Sequence, residues 1–216
     1  MNQTINARMM RVPLEDYRRK RKFTETPEPS GRVRTSSRTP IFVVQKHSAS
    51  HLHYDFRLAI NGVLVSWAVP KGPSMNPTEK RLAVRTEDHP LEYAQFEGVI
   101  PEGQYGAGTV IVWDTGTYET HGGVSPDEQL ARGKIDVTLQ GTKLNGGFTL
   151  VQAAKRSAEP SPKERWILIK HRDEYADPTW DIEDPRLDRS VLTGRSLKEV
   201  ELGSQRKISR LVHTRV

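Results

Sequence analysis

The segment from Gln45 to Leu58, rich in histidine and charge, holds the side chains best suited to chemistry in this 216-residue chain. A period of two predicts a strand here. One face of it is apolar and comprises Leu52, Tyr54, Phe56 and Leu58. The opposite face is polar and comprises His51, His53, Asp55 and Arg57. Two imidazoles and a carboxylate, with His47 nearby, can bind a divalent metal and leave positions open for substrate.

Arg57 lies one step further along the polar face, where a guanidinium could hold an anion beside such a metal. The alternative is that the polar face is the solvent side of a half-buried strand. Solvent faces usually favour Thr, Lys and Glu, and this face has none of them. Both interpretations stay open on the residues alone.

A second polar run, Lys80 to Pro90, repeats the pattern. Its residues of one parity are Arg81, Ala83, Arg85, Glu87 and His89, and they would face one way if the strand stayed regular to its end. His89 precedes a proline, which favours an extended conformation, and could act as proton donor or phosphate ligand. A charged edge strand is the alternative. Lys71, in a turn between two prolines, is by itself an ordinary exposed lysine.

The charge is unevenly distributed along the chain. The net charge is +6, from 33 Lys+Arg and 27 Asp+Glu. Residues 1–40 and 189–216 are basic and residues 41–188 are acidic, so the ends are the parts suited to attract nucleic acid. Cysteine is absent, which excludes disulfides, thiolate metal sites and a cysteine nucleophile. No apolar run is long enough for a membrane span or a signal peptide, and we expect a cytoplasmic protein.

Short β-rich runs separated by turn signals predict a mainly β fold, a barrel or a sandwich, over residues 41–188. The predicted strands are Ile41–Lys46, Leu52–Ile60, Val63–Val69, Arg81–Thr86, Val110–Trp113, Ile135–Leu139, Phe148–Val151 and Trp166–Lys170.

Hairpin turns are expected at Asn61-Gly62 and at Asn145–Gly147. The glycine-rich stretch 97–108 predicts a tight connection with several positive φ angles. One short helix is expected at Ser125–Arg132. Residues 1–40 are predicted to be a mobile basic arm, and residues 189–216 a basic tail or linker.

Several motifs closely resemble the 3′-phosphoesterase module of bacterial DNA ligase D, an enzyme of non-homologous end joining. They include Gln45-Lys-His47, Leu52-His-Tyr-Asp-Phe-Arg-Leu58, Ser66-Trp-Ala-Val-Pro-Lys-Gly-Pro73, Glu87-Asp-His-Pro90 and Tyr105-Gly-Ala-Gly-Thr-Val110. The resemblance covers nearly the whole chain after about Leu14. It implies a compact β-barrel with manganese at the active site, and a His/His/Asp donor set also suits zinc or cobalt. It also implies removal of a terminal ribonucleoside and then of the 3′-phosphate, leaving a 3′-OH.

The resemblance assigns roles position by position. The metal ligands it implies are His47, His53 and Asp55. The catalytic residues it implies are His89, Arg57, Arg81, Lys71 and Glu87, which overturns the plain interpretation of Lys71. The substrate-binding residues it implies are Gln45, Tyr93, Arg21 and Glu28. The implied substrates are DNA or RNA-tipped DNA 3′ ends, with ligase, polymerase and Ku-type end-joining components as partners.

The chain departs from the family pattern in three places. Ser50 and His51 stand where a basic residue or two is usual, and His51 is either a spare ligand or a weak substitute for the missing charge. Ala59 replaces a frequent Glu. Lys22 stands where Asp is usual in the arm that helps to remove the ribonucleoside, so that step is in doubt while phosphate removal should survive.

Two other functions fit the same residues. A non-catalytic nucleic-acid-binding barrel could line a groove with these histidines and arginines. A barrel of this kind could also act on other phosphoesters, such as 2′,3′-cyclic phosphates. Phosphate release with and without metal separates the first alternative from an enzyme, and substrate competition separates the second.

Overall fold

The computed structural model describes residues 14–31, 40–153 and 164–213, with side chains to residue 205. Ten strands are present in it: β1 (Ile41–Ser48), β2 (Leu52–Ile60), β3 (Val63–Val69), β4 (Lys80–Arg85), β5 (His89–Pro90), β6 (Gly98–Ile100), β7 (Gly108–Thr120), β8 (Lys134–Gly141), β9 (Asn145–Gln152) and β10 (Arg165–Lys170). The helices are α1 (Glu15–Arg19), α2 (Pro126–Ala131) and α3 (Leu197–His213), with 3₁₀ turns at Leu91–Gln95 and Pro185–Leu187.

Eight of these strands close into an antiparallel barrel. Their order is β1-β2-β3-β4-β10-β9-β8-β7, and β7 pairs back with β1. The two short strands β5 and β6 pair with β3 and β7. Closure leaves no free sheet edge around the ring. The mainly β fold expected from the sequence is confirmed, and a barrel rather than a sandwich is formed.

The apolar face of β2 points into the barrel. Phe56 pairs with Trp67 across β2 and β3, and the Trp67 ring lies 5.6 Å from that of Trp166 on β10. Phe42 stacks on Phe56, and Tyr54 meets the edge of Trp113. These rings fill the interior, as expected for a small barrel.

The polar face of β2 is also buried over its second half. Asp55 and Arg57 expose only 7% and 2% of their surface. Residues 14–31 and the chain around residues 87–106 cover this outer face of the barrel, as the contacts below show. The solvent-face interpretation of β2 is therefore wrong, because a second layer of the chain shields the polar side chains from water.

The turn at Asn61-Gly62 is confirmed, with φ of 49° and 81°, the left-handed values that a type I′ turn needs. The second predicted hairpin turn is wrong, since Asn145 to Gly147 belong to β9. The β8–β9 connection lies instead at residues 142–144. The Asp114 carboxylate accepts hydrogen bonds from the backbone N–H groups of Thr142, Lys143 and Leu144. The β8–β9 turn is thus stabilised by a carboxylate distant in sequence, whereas the prediction relied on turn-forming residues within the connection itself.

Two other local predictions are confirmed. Helix α2 begins at Pro126 after the N-cap position Ser125, and Gly133 follows it with φ of 74°. In the connection of residues 97–108, Gly103, Gly106 and Gly108 all have positive φ.

Part of the predicted mobile arm is packed on the barrel. Leu14 and Tyr17 are buried, and the Tyr17 hydroxyl donates to the carbonyl of Pro29. The burial of Leu14 and Tyr17 was not predicted, because charged residues surround both of them in the sequence. Residues 1–13 and 32–39 of the predicted arm lie outside the described residues.

The predicted tail also contains regular structure. Ser190 is buried, and α3 begins at Leu197 with Val200 buried against the rest of the fold. No helix in the described part of the chain is long and apolar enough to cross a membrane.

Candidate active site

The structure brings together the three predicted metal ligands. His47 on β1 pairs directly with His53 on β2, and Asp55 follows two residues later on the same face. One ligand atom from each of the three side chains can be chosen so that all lie within 4.8 Å of one another. Nδ1 of His47 lies 3.7 Å from Oδ2 of Asp55, and Nε2 of His53 lies 3.8 Å from Oδ1.

Backbone carbonyls orient both imidazoles. Nε2 of His47 lies 3.0 Å from the carbonyl oxygen of Gly106, and Nδ1 of His53 lies 3.0 Å from that of His51. Since a carbonyl oxygen can only accept, each of these nitrogens must carry the proton. The remaining nitrogens, Nδ1 of His47 and Nε2 of His53, then present lone pairs to Asp55. This outer-shell pattern is typical of metal-binding histidines, so the donor set fits a divalent ion.

Asp55 is held in its charged form. Burial alone would raise the pKa of its carboxyl, but the Arg57 guanidinium holds that pKa well below its usual range. NH2 of Arg57 donates to Oδ2 of Asp55 over 3.0 Å. The carboxylate is thus available as a metal ligand at neutral pH.

Arg57 is fixed by neighbours on both adjacent strands. Its Nε donates to Oε1 of Gln45 on β1, and its NH1 donates to Oγ of Ser66 on β3, both over 2.8 Å. The Gln45 amide in turn donates to the carbonyls of Tyr93 and Phe96. The guanidinium is therefore aligned before any substrate binds.

His89 lies between two guanidiniums. Its Nδ1 lies 2.9 Å from both NH1 of Arg57 and the carbonyl of Glu87, and its Nε2 lies 3.3 Å from NH2 of Arg21. The tautomer protonated on Nδ1 satisfies the Glu87 carbonyl and leaves Nε2 to accept from Arg21. Burial, Arg57 and Arg21 hold the pKa of His89 well below its ordinary value. The ring is therefore neutral at pH 7.

The N-terminal segment of residues 14–31 completes the wall of the site. Nε of Arg21 donates to Oε1 of Glu28 over 2.8 Å, and its NH1 donates to Oε1 of Glu87 over 3.1 Å. The Tyr93 hydroxyl also donates to Glu28, over 2.9 Å. Four of the residues assigned from the family resemblance thus form one buried network, although they come from three separate stretches of chain.

Lys71 and Arg81 lie elsewhere. Both line a cleft of about 420 Å³ together with Glu79, which forms an ion pair with Arg81. Arg81 has the parity of Ala83, which pairs with Trp166 of the barrel interior, whereas the triad lies on the outer face. No contact between described residues joins Lys71 or Arg81 to the triad. The cleft lies at the end of the barrel where β2 begins.

The strand predicted at Arg81–Thr86 is present as β4, but it does not stay regular to His89, so the residues from Arg81 to His89 do not share one face. β4 ends at Arg85, whose guanidinium lies over the Trp67 ring and pairs with Asp88. Residues 86–88 then leave the sheet, and His89 resumes pairing with Leu64 on β3. This break lets Glu87 and His89 reach the outer face of the barrel. Arg81 lies on the opposite face of β4 and does not reach it.

Two departures from the family pattern lie at the surface. The His51 side chain is exposed, and it contributes its backbone carbonyl to the orientation of His53. His51 is not part of the ligand cluster found among the described residues. Lys22 is 73% exposed and pairs with Glu25.

Sequence reasoning missed Ser66 and Tyr17. Ser66 is a lone polar residue in the apolar run of β3 and pairs with Arg57, so its signal was present. Tyr17 packs against the rings of His89 and Tyr93, and the Arg21 guanidinium lies 3.9 Å from its ring centre. Tyr17 lies beside a run of basic residues and gave no signal of burial.

A largely buried His-His-Asp cluster with two paired arginines in the same contact network is suited to phosphate chemistry. Comparison with known proteins agrees. A family model described as the DNA Ligase D 3′-phosphoesterase domain matches residues 45–152. The chain is 48% identical over 189 residues to the multifunctional non-homologous end joining protein LigD of Pseudomonas aeruginosa, which is 86% of this chain and 22% of that protein.

Two further relatives are similar. The chain is 46% identical over 166 residues to LigD of Mycolicibacterium smegmatis, covering 74% of this chain and 21% of that protein. It is 47% identical over 140 residues to LigD of Mycobacterium tuberculosis, covering 64% and 18%. The chain thus spans about a fifth of the length of the curated relatives it matches. Because the family model covers half of the chain, including the whole candidate metal triad, the chain belongs to the DNA ligase D 3′-phosphoesterase domain family.

Proposed function

We propose that this protein is a metal-dependent phosphoesterase that removes the 3′-phosphate from DNA ends and leaves a 3′-OH for joining. One observation carries the proposal: the His47, His53 and Asp55 triad is joined through Arg57 to His89. Arg57 lies 3.0 Å from Asp55 and 2.9 Å from His89. A metal position, a guanidinium and a neutral imidazole therefore follow one another in a single series of contacts.

Manganese is the proposed ion, and zinc and cobalt suit the same ligands. Nδ1 of His47, Nε2 of His53 and the Asp55 carboxylate would hold it. When bound, the ion would neutralise phosphate charge and polarise a water or a phosphoryl oxygen.

The arginines supply fixed positive charge. Arg57 is held by Gln45, Ser66 and Asp55, so little reorganisation is needed when the charge of the transferring phosphoryl group develops. Arg21 approaches from the opposite side of His89 and is anchored by Glu28. Glu87 also accepts a hydrogen bond from Arg21. Gln45 accepts one from Arg57, and the Tyr93 hydroxyl donates one to Glu28.

His89 is the proposed proton carrier. In direct hydrolysis, a water oxygen bonds to phosphorus while the bond between phosphorus and the 3′ oxygen breaks. Nε2 of His89 carries the lone pair, which accepts from Arg21 in this structure. Once Arg21 donates to the phosphate instead, this nitrogen can take a proton from the water and give it to the leaving 3′ oxygen. Its depressed pKa favours rapid release of that proton.

Lys71 and Arg81 are also proposed as catalytic residues, and they would contact the DNA from the neighbouring cleft. Their positive charge suits phosphate groups of the DNA that enters beside β2. The proposed substrates are DNA or RNA-tipped DNA 3′ ends. The names of the relatives support a place in non-homologous end joining, with ligase, polymerase and Ku-type components as partners.

The test is phosphate release from a primer with a 3′-phosphate, measured with Mn²⁺ and with a chelator. We expect release only with metal, and a loss of at least about 100-fold in His53→Ala and His89→Ala. His121→Ala, which changes a histidine at the other side of the barrel, should retain activity. Metal-independent release, or none at all, would contradict the proposal. A 2′,3′-cyclic phosphate processed in preference to the 3′-phosphate would favour the cyclic-phosphate alternative.

A further inference from the structure

The loop of residues 101–107 carries an aromatic ring at the mouth of the site. Tyr105 exposes 45% of its surface, whereas Tyr17 and Tyr93, which line the same site, are buried. The buried rings pack around His89 and hold it in place. Tyr105 makes no such packing contribution to the described core, so its ring offers an apolar face to whatever enters the mouth.

Tyr105 is coupled to both halves of the site. The carbonyl of the next residue, Gly106, accepts the hydrogen bond that orients His47. The Arg21 guanidinium lies 5.5 Å from the Tyr105 ring centre and reaches Nε2 of His89 with its NH2 group. Tyr105 therefore lies one residue from the carbonyl that orients His47, and its ring is separated from the proposed proton carrier by one side chain, that of Arg21.

Cations and hydrogen bonds hold the ring in place. Nζ of Lys20 lies 3.2 Å from the Tyr105 hydroxyl and 4.6 Å from the ring centre, and it also pairs with Glu87 over 3.0 Å. The amide of Gln104 donates to Glu25 over 2.8 Å, which ties the loop to the N-terminal segment. A fixed ring loses little conformational freedom when a flat ligand stacks on it.

The ligand chemistry follows from these neighbours. The ligand must carry a flat, partly apolar group that can lie beside a cation and is covalently linked to a phosphate. A nucleotide has these features. Stacking of a nucleobase on an aromatic side chain is tolerant of sequence, because every base has a π-face. In a nucleotide the base and the 3′-phosphate are separated by one sugar, which matches a ring at the mouth of a phosphate site.

We propose that Tyr105 is the stacking platform for the base of the terminal nucleotide whose 3′-phosphate lies at the triad. This subsite rests on the proposed phosphoesterase function. It makes the enzyme bind the end of a strand through one base and one phosphate, with no requirement for a particular sequence.

The experiment compares two matched primers with a 3′-phosphate, one with a normal terminal base and one with an abasic terminal sugar. The wild-type protein should favour the primer with the base by about tenfold in kcat/KM, mainly through KM. Tyr105→Ala should lose this preference, and Tyr105→Phe, which keeps the ring without the hydroxyl, should retain it. Tyr175→Ala is the matched control, because Tyr175 is also exposed but packs near Gly146, away from the site.

Binding of the same two primers, followed by fluorescence anisotropy, gives a readout that does not need turnover. Lost discrimination in Tyr105→Ala on this readout supports the platform even if phosphate release failed for other reasons. A wild-type protein that binds both primers equally, or a Tyr105→Ala variant that still discriminates as wild type, overturns it.

Discussion

Nε2 of His47 donates a hydrogen bond to the carbonyl oxygen of Gly106, 3.0 Å away. This contact joins a ligand on β1 to a loop that lies almost sixty residues later in the chain. It leaves Nδ1 of His47 as the nitrogen that faces Asp55. The loop therefore determines which imidazole nitrogen faces the proposed metal position.

Replacement of Gly106 should weaken metal binding. Gly106 has φ of 76°, which strains any residue with a Cβ, although an added methyl would meet only Cε1 of His47 at 3.9 Å. We expect Gly106→Ala to shift the carbonyl and lower Mn²⁺ affinity by about tenfold or more, as loss of an outer-shell contact does elsewhere. Titration calorimetry with Mn²⁺ measures it.

Gly103→Ala is the control for this experiment. Gly103 lies in the same loop with φ of 83° and has open space around it, but it makes no described contact with His47. The same backbone strain should therefore leave Mn²⁺ affinity close to wild type. Equal losses in both variants would show that the loop acts only through its general stability.

Replacement of Arg57 by lysine should reduce phosphate release by at least about 100-fold. Lysine keeps the charge, but it cannot reach Gln45, Ser66 and Asp55 at once as the planar guanidinium does. Steady-state kinetics with Mn²⁺ should show the loss in kcat. Arg132→Lys, at the end of α2, should be neutral. Wild-type kcat in Arg57→Lys would mean that charge alone suffices.

Stability should depend on pH through His89. Burial, Arg57 and Arg21 hold the pKa of His89 well below the ordinary histidine value of 6.5. As pH falls below 6.5, the unfolded chain binds a proton that the folded chain does not, so the free energy of unfolding decreases. Between pH 6.5 and 5.5 this amounts to about 1 kcal/mol.

Urea denaturation of wild type and His89→Gln at pH 7.5 and 5.5 measures this effect. The variant should lose about 1.4 kcal/mol less than wild type over that interval. His121→Gln should behave as wild type, because His121 lies at the barrel surface with Thr138. An identical pH dependence in wild type and His89→Gln would contradict the assigned neutral state.

Lys22 should limit removal of a terminal ribonucleoside. It stands where the family usually has Asp, next to Arg21, and its side chain points to solvent with Glu25. We expect wild type to release a 3′-phosphate faster than it removes a 3′-ribonucleoside from a matched primer. Lys22→Asp should raise the second rate relative to the first by about tenfold or more, because a carboxylate near the site can accept a proton.

Arg19→Asp is the matched control, since Arg19 is equally exposed and lies three residues earlier. It introduces the same change of charge without restoring the family residue. Equal rates of the two reactions in wild type, or an equal gain in Arg19→Asp, would contradict a specific role for position 22.

Strand positions and the metal triad could be predicted because both depend on local pattern. The alternation of β2 placed His53, Asp55 and Arg57 on one face, and register with β1 brought His47 opposite. The role of Lys71 and the contact network of Arg21 and Glu28 could not be derived from spacing. Arg21 meets Glu87 and His89 only because Leu14 and Tyr17 anchor the N-terminal segment on the outer face of the barrel.

The errors have the same origin. Period-two parity placed Arg81 and His89 together, yet the chain leaves the sheet at residues 86–88, and a turn predicted at Asn145–Gly147 moved because Asp114 holds residues 142–144. Both depend on contacts between residues distant in sequence. The sequence pattern contains the side chains and their local order, and tertiary contacts decide which of them meet.

The most direct measurement is a titration of metal-stripped protein with Mn²⁺, in which bound metal and phosphate release from a 3′-phosphate primer are recorded in the same samples. The account predicts one Mn²⁺ per chain, release that rises in proportion to bound metal, and loss of both in Asp55→Asn. Full activity before metal is added, or stoichiometric binding that survives in Asp55→Asn, would contradict it.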